Sequence, residues 1–436
     1  MTVTLVLLVA AAVLARSIHV GLALICGALV ALLAAGVLGL FDPAPLMAFP
    51  IRLLGLFDNS ILAAVPLVYL MAELSESAKP PGGMASRAAP APSFPVLALA
   101  SPFPALLFLL GDRLGDALQA AQVAQGVFAS DALGLPRLLA ALAVTAVTFF
   151  ARPMLAEFRA GKLPAKSLPS YDAMRVQAAR WAPSILLLAA IALDVATPVE
   201  AAGFAVLAAV LAAAGREGVR PAVVIASAAA LLVLLALRSF VDLRVNRLII
   251  PPTDRIAVVV ALICLALLVV GAALAIGRLL QVGWFVPALE RAAARSADLF
   301  LLLAGATAAI LVLTMVGVPT ALAGILGRLP SGIAWFLTLA GGGVTAAAAG
   351  WRTATVLYLP VAGAALLSRS PPATPSAAVL LGALFWLSAL SGIWLSELRQ
   401  GDRSALGRLA SALLAGIAVG AVAWLAPGVF GGGPSL

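Results

Sequence analysis

Apolar residues fall in long runs along this chain, near residues 3–15, 20–40, 60–72, 94–110, 133–151, 183–214, 222–237, 256–280, 299–327, 332–349, 353–367, 377–395 and 405–426. The runs are apolar all round, without the period-two alternation of a membrane β-barrel strand. Ala and Leu, both good helix formers, dominate them. Several approach or exceed the ~20 residues that carry a helix across a ~30 Å hydrocarbon core. The pattern predicts an all-α polytopic integral membrane protein with about 10–13 membrane-embedded helices or half-helices. The run at 60–72 is too short to span straight, and those at 94–110 and 353–367 are marginal. These are expected as half-helices or hairpin arms lining a cavity, where broken backbone is tolerated at membrane depth.

The polar stretches between the runs set the orientation. The connection from Arg152 to Arg180 carries Arg152, Arg159, Lys162, Lys166, Arg175 and Arg180 against Glu157 and Asp172, which places it in the cytoplasm. Arg238 to Arg255 has the same bias and is expected on the same side. Residues Ser75 to Pro95, rich in Pro, Ala, Gly and Ser, read as a loose loop. The longest polar connection is about thirty residues, below the size of an independent fold, so residues 1–436 form a single membrane domain. The opening "MTVTLVLLVAAAVLARS" lacks a basic n-region and a second apolar run begins at Ile18, so a retained first span is expected rather than a signal peptide.

Composition agrees: 64% of the 436 residues are hydrophobic and 10% charged, so one soluble core could not hide the apolar surface. The net charge of +9 resides in short loops without aromatic interleaving, which excludes nucleic acid as a partner and leaves the lipid bilayer. Cys26 and Cys264, each inside an apolar run, read as small core residues and not as a disulfide or metal site. No phosphate-binding loop, zinc-spaced His and Cys cluster or nucleophile elbow is present, so neither enzymatic activity nor a cofactor is expected. The single histidine, His19, lies in a turn between two apolar runs and reads as an interfacial residue.

Carboxylates near membrane depth are the better leads. A charge there costs at least ~2.5–3.5 kcal/mol and is usually kept for a pathway or a partner. The candidates are Asp58, Glu73, Asp112, Asp116, Asp194 and Glu200. Asp112 and Asp116 flank Arg113, where solvent and an ion pair suffice; Glu73 reads equally as a snorkelling interfacial side chain or a functional one. Thr197, Pro198 and Glu200 have the spacing of a capping box with proline at the first helical position. The same residues fit two roles: satisfying the free amides of a helix start, or presenting a helix N-terminus to an anion as broken-helix transporters do.

Several stretches resemble, in order, the large membrane (permease) subunit of tripartite ATP-independent periplasmic (TRAP) transporters, the DctM-like family. "ATPVEAAGFAVLAAVLAA" is similar to its "TPTEAAAV" signature, "RSIHVGLALICGALVALLAAG" to its "IPVGFAL" segment and "FDNSILAAVPLVYLMAELSESA" to its "LLAVPLFILMGELMERSG" segment. "ALASPFPALLFLLGDRLGDAL" falls where the family has "LIPPSxxxxxYG", and the chain from Val286 onward follows the family's later half. On this resemblance residues 1–74 are the first permease-like helices, 75–95 the loop, 96–214 further permease-like helices with the basic loop 152–180, 216–281 extra membrane helices and 282–426 the second-half helices. The chain also departs from the family: no Ser-Gly-Ser-Ser tip occurs between Ala78 and Ala100, and the late "LTPPVG" signature has no counterpart.

The resemblance implies an inverted-repeat, elevator-type transporter fold in the bacterial inner membrane. It also implies sodium- or proton-coupled import of small organic acids, and partnership with a small four-helix membrane subunit and a periplasmic binding protein. Thr197 and Glu200 are the residues it matches for substrate or ion binding, with Asp194, Glu73 and Asp58 beside them as intramembrane candidates. The missing tips and added helices open a second expectation, a transport-inactive permease-derived scaffold subunit of a larger membrane complex.

Overall fold

The computed structural model describes residues 18–37, 50, 60–76, 195–240 and 252–330, with short pieces between 182 and 190 and between 333 and 365. All regular structure among the described residues is helical. The main elements are α1 (Val20–Val37), α2 (Ser60–Glu76), α3 (Pro198–Arg216), α4 (Pro221–Phe240), α5 (Pro252–Val282), α6 (Phe285–Met315) and α7 (Val318–Gly327). Five of these, α1, α3, α4, α5 and α6, are long and apolar enough to cross a bilayer; α2 and α7 are shorter apolar helices. The protein is a multi-pass membrane protein.

The runs at 20–40, 222–237 and 256–280 are the helices α1, α4 and α5. The run at 183–214 is interrupted, because the Ala190 carbonyl accepts the Val195 and Ala196 N–H groups and α3 starts afresh after Thr197. The run at 299–327 is divided at Gly317, whose φ of 76° ends α6 and opens α7. α6 also begins at Phe285, well before its apolar part. "ALERAAAR" is charged, yet Ala, Leu, Glu and Arg are the strongest helix formers, so hydropathy marks the membrane stretch and propensity marks the helix. The runs at 3–15, 94–110, 133–151, 377–395 and 405–426 lie outside the described residues.

Two compact units divide the chain. One holds α2, the pieces at 182–190, α3, α4, α5 and α6 as far as Ser296. Here α3 packs against α2, α4 and α5, and α4 packs against α5. Lipid tails are as apolar as leucine, so helices in a bilayer are held by close packing, which small residues permit. In α3, Ala201, Ala205, Ala209 and Ala213 recur every four residues and are all buried. Ala230 and Leu231 of α4 meet Cys264 and Leu268 of α5 in a core joined by Phe204, Leu207 and Ala208 of α3. Gly271 of α5 lies so near the buried Ser227 of α4 that a Cβ would land on the serine Oγ. Cys264 is a free, buried thiol in this core.

The other unit holds α1, α6 from Ala297 onward, α7 and the pieces between 333 and 365. α1 and α6 cross backbone to backbone: a Cβ on Gly305 would strike the Gly21 carbonyl, and one on Gly21 would strike Leu301. Around the crossing Leu24, Ala28, Ala31 and Leu32 pack with Leu302, Ala309 and Val312.

Candidate functional site

Local geometry explains the punctuation at 196–200. Thr197 is the N-cap of α3, with extended backbone (φ −62°, ψ 156°) and proline in the first turn, and the capping box is complete. The Thr197 N–H donates to Glu200 Oε2 at 2.9 Å, its hydroxyl donates to the same oxygen at 2.8 Å, and the Glu200 N–H reaches Thr197 Oγ1 at 3.5 Å. Arg238 near the end of α4 adds a charge-assisted bond, Nη2 to Glu200 Oε2 at 2.7 Å. One carboxylate oxygen thus receives three donors and ties the start of α3 to the end of α4. Both members of the ion pair are half-exposed.

Among the described residues Glu73 is the buried charge. It lies near the C-terminal end of α2 and is 4% exposed. Its oxygens are divided between two guanidiniums of α6: Arg291 Nε donates to Oε2 at 2.7 Å, and Arg295 Nη1 forms an ion pair with Oε1 at 2.6 Å. Residues four apart lie on one face of a helix, so both arginines address one carboxylate. The arginine side chains stay 49% and 43% exposed while the glutamate is enclosed. All three belong to apolar helices, Leu62–Ser75 and Phe285–Met315. The arrangement is a bridge between α2 and α6, and a place where a carboxylate is recognised from two directions.

His19 sits before α1 and accepts the Gly21 N–H at Nδ1, 3.2 Å, as a helix-capping group; its Nε2 lies 3.8 Å from Asp298 of α6. It is a capping residue at the α1–α6 crossing. Asp58, Asp194, Asp112 and Asp116 lie outside the described residues. Among the described residues no three His, Cys, Asp or Glu side chains gather as metal ligands.

Thr197 and Glu200 come together as expected, and Glu73 joins a separate cluster. Sequence reasoning missed Arg238, Arg291 and Arg295. For the last two a signal existed: two arginines spaced by four at the head of an otherwise apolar helix. Compared with known proteins, the chain matches no family model and no curated protein sequence.

Proposed function

We propose that the protein is a divergent TRAP-type permease-like membrane protein that imports small organic acids across the bacterial inner membrane, with its working charges at Glu73, Arg291 and Arg295. The observation that supports this reading is the enclosed Glu73 carboxylate gripped by two half-exposed arginines at the charged head of α6. Well-packed apolar residues of similar volume would join α2 to α6 at no desolvation cost. The enclosed carboxylate is read as retained for a step in which the charges change partners. That step is an exchange: a substrate carboxylate takes the place of Glu73 on the guanidiniums.

An elevator-type fold, a small four-helix subunit and a periplasmic binding protein belong to the same reading. Proteoliposome uptake of labelled dicarboxylates under an imposed proton or sodium gradient tests it, with a working family member as control. Uptake driven by one of the two gradients, which Glu73→Gln abolishes and Glu73→Asp partly keeps, is the expected result. Failure of the chain, supplied with its partners, to move any organic acid would sink the reading.

A second reading, a transport-inactive scaffold subunit, is favoured by Glu200. The carboxylate matched to the family signature is engaged by Thr197 and Arg238, as a structural cap requires. Gentle extraction from native membrane followed by mass-spectrometric identification of co-purifying chains separates the two. A scaffold arrives with a larger membrane assembly, a permease with the small subunit and the binding protein.

A further inference from the structure

Two helix connections meet at one end of the unit built from α3, α4 and α5. Arg278 of α5 donates from Nε to the Glu217 carbonyl in the α3–α4 turn at 2.9 Å. Gly218, with φ 89°, shapes that turn, and a Cβ there would come within 3.9 Å of Arg278 Nη2. Arg220 follows in the same turn and is exposed, as is Arg278. Arg278 is thereby held at the level of the turn that carries Arg220, with Glu217 as the acidic residue of that turn, while Arg216 uses its Nε on the Ala212 carbonyl.

Away from this level the surface turns apolar. Ile225 of α4 and Val270 and Leu274 of α5 are exposed. The apolar surface continues along α5 through Ile263, Val260 and Ile256 to Arg255. Arg220 and Arg238 are separated by eighteen residues of α4 and Arg255 and Arg278 by twenty-three of α5, or ~27 Å and ~35 Å of helix. These lengths bracket the ~30 Å hydrocarbon core, so Arg220 and Arg278 sit at headgroup level. On α5 the exposed side chains below them are chiefly large and branched, unlike the small residues on which membrane helices dock, whereas α4 exposes Ala222, Ala226, Ala228 and Ala229 beside Ile225.

We propose that Arg220 and Arg278 form a binding site for the phosphate of an anionic phospholipid whose acyl chains lie along the α4–α5 surface. Arg278 is anchored by the Glu217 carbonyl and offers its remaining N–H groups; Arg220 closes on the headgroup from the turn. Anionic headgroups attract interfacial basic residues by about fivefold in affinity per residue, so two arginines give a preference of roughly 25-fold over a zwitterionic lipid.

The test uses the purified full chain exchanged into mixed phosphatidylglycerol and phosphatidylcholine micelles, with retained lipid read by native mass spectrometry. Wild type is expected to retain phosphatidylglycerol selectively. Arg220→Gln is expected to lose about fivefold of that preference and Arg220→Gln/Arg278→Gln nearly all of it. Arg220→Lys should keep most. If the double variant does not fold, the exposed Arg220 single variant decides. No headgroup preference in wild type, an unchanged preference in Arg220→Gln, or displacement of the lipid by inorganic phosphate at the same concentration would each overturn the proposal.

Discussion

A carboxylate enclosed by apolar helices must be neutralised where it stands, and at Glu73 two guanidiniums from successive turns of α6 do so. Removing its charge leaves both arginines facing an amide. Breaking a buried pair costs ~3–5 kcal/mol, and the lower end applies because the arginine side chains reach solvent. Glu73→Gln should therefore lower the melting temperature in detergent markedly, and an unchanged melting curve would remove the bridge from any account of stability. Thr197→Ala/Glu200→Ala removes a cap worth ~0.5–2 kcal/mol and a half-exposed ion pair worth ~0–1 kcal/mol, so its effect should be smaller. The cap was legible in the sequence because its bonds span three residues. The partners were not: Arg238 is 38 residues from Glu200 and Arg291 is 218 from Glu73, separations that only packing closes.

At the scale of the helix, hydropathy and propensity give different boundaries, and α6 shows both. Its charged first turns are helical through Ala, Leu, Glu and Arg, so the apolar run alone placed its start too late. The breaks at Thr197 and Gly317 interrupt apolar runs; the first carries the Thr-Pro-x-Glu signal, the second only a glycine. Side-chain volume matters most where α1 and α6 cross. Gly305→Ala puts a methyl against the Gly21 backbone, and overpacking of this kind costs ~1–3 kcal/mol. Gly36→Ala, near the end of the same α1, meets nothing within 4 Å among the described residues. It should be neutral or stabilise by up to ~1 kcal/mol through helix propensity. Thermal unfolding of the two variants side by side checks this, and equal effects would show that the crossing is not tight.

At the scale of the molecule, the arginines decide where the bilayer lies. The Arg238–Glu200 pair joins the end of α4 to the start of α3, while Arg278 joins α5 to the α3–α4 turn, so the three helices run alternately up and down between two charged levels. The alternation was legible as apolar runs separated by basic connections; the pairing of the levels was not, because both ends carry arginines and the positive-inside rule weighs loops, not contacts. This topology has a direct consequence for labelling. In a background where Cys26 and Cys264 are replaced by Ala, single cysteines at Arg220→Cys and Arg255→Cys should react with a membrane-impermeant thiol reagent from opposite faces. The second should be reached from the cytoplasmic side, as the basic stretch Arg238 to Arg255 requires. Reaction of both from one face would mean that α4 and α5 do not traverse the bilayer, and the lipid site at Arg220 and Arg278 would lose its headgroup level with them. Reaction from opposite faces in the reversed sense would keep the helices and the site but put the Arg238–Arg255 connection in the periplasm, against the charge rule.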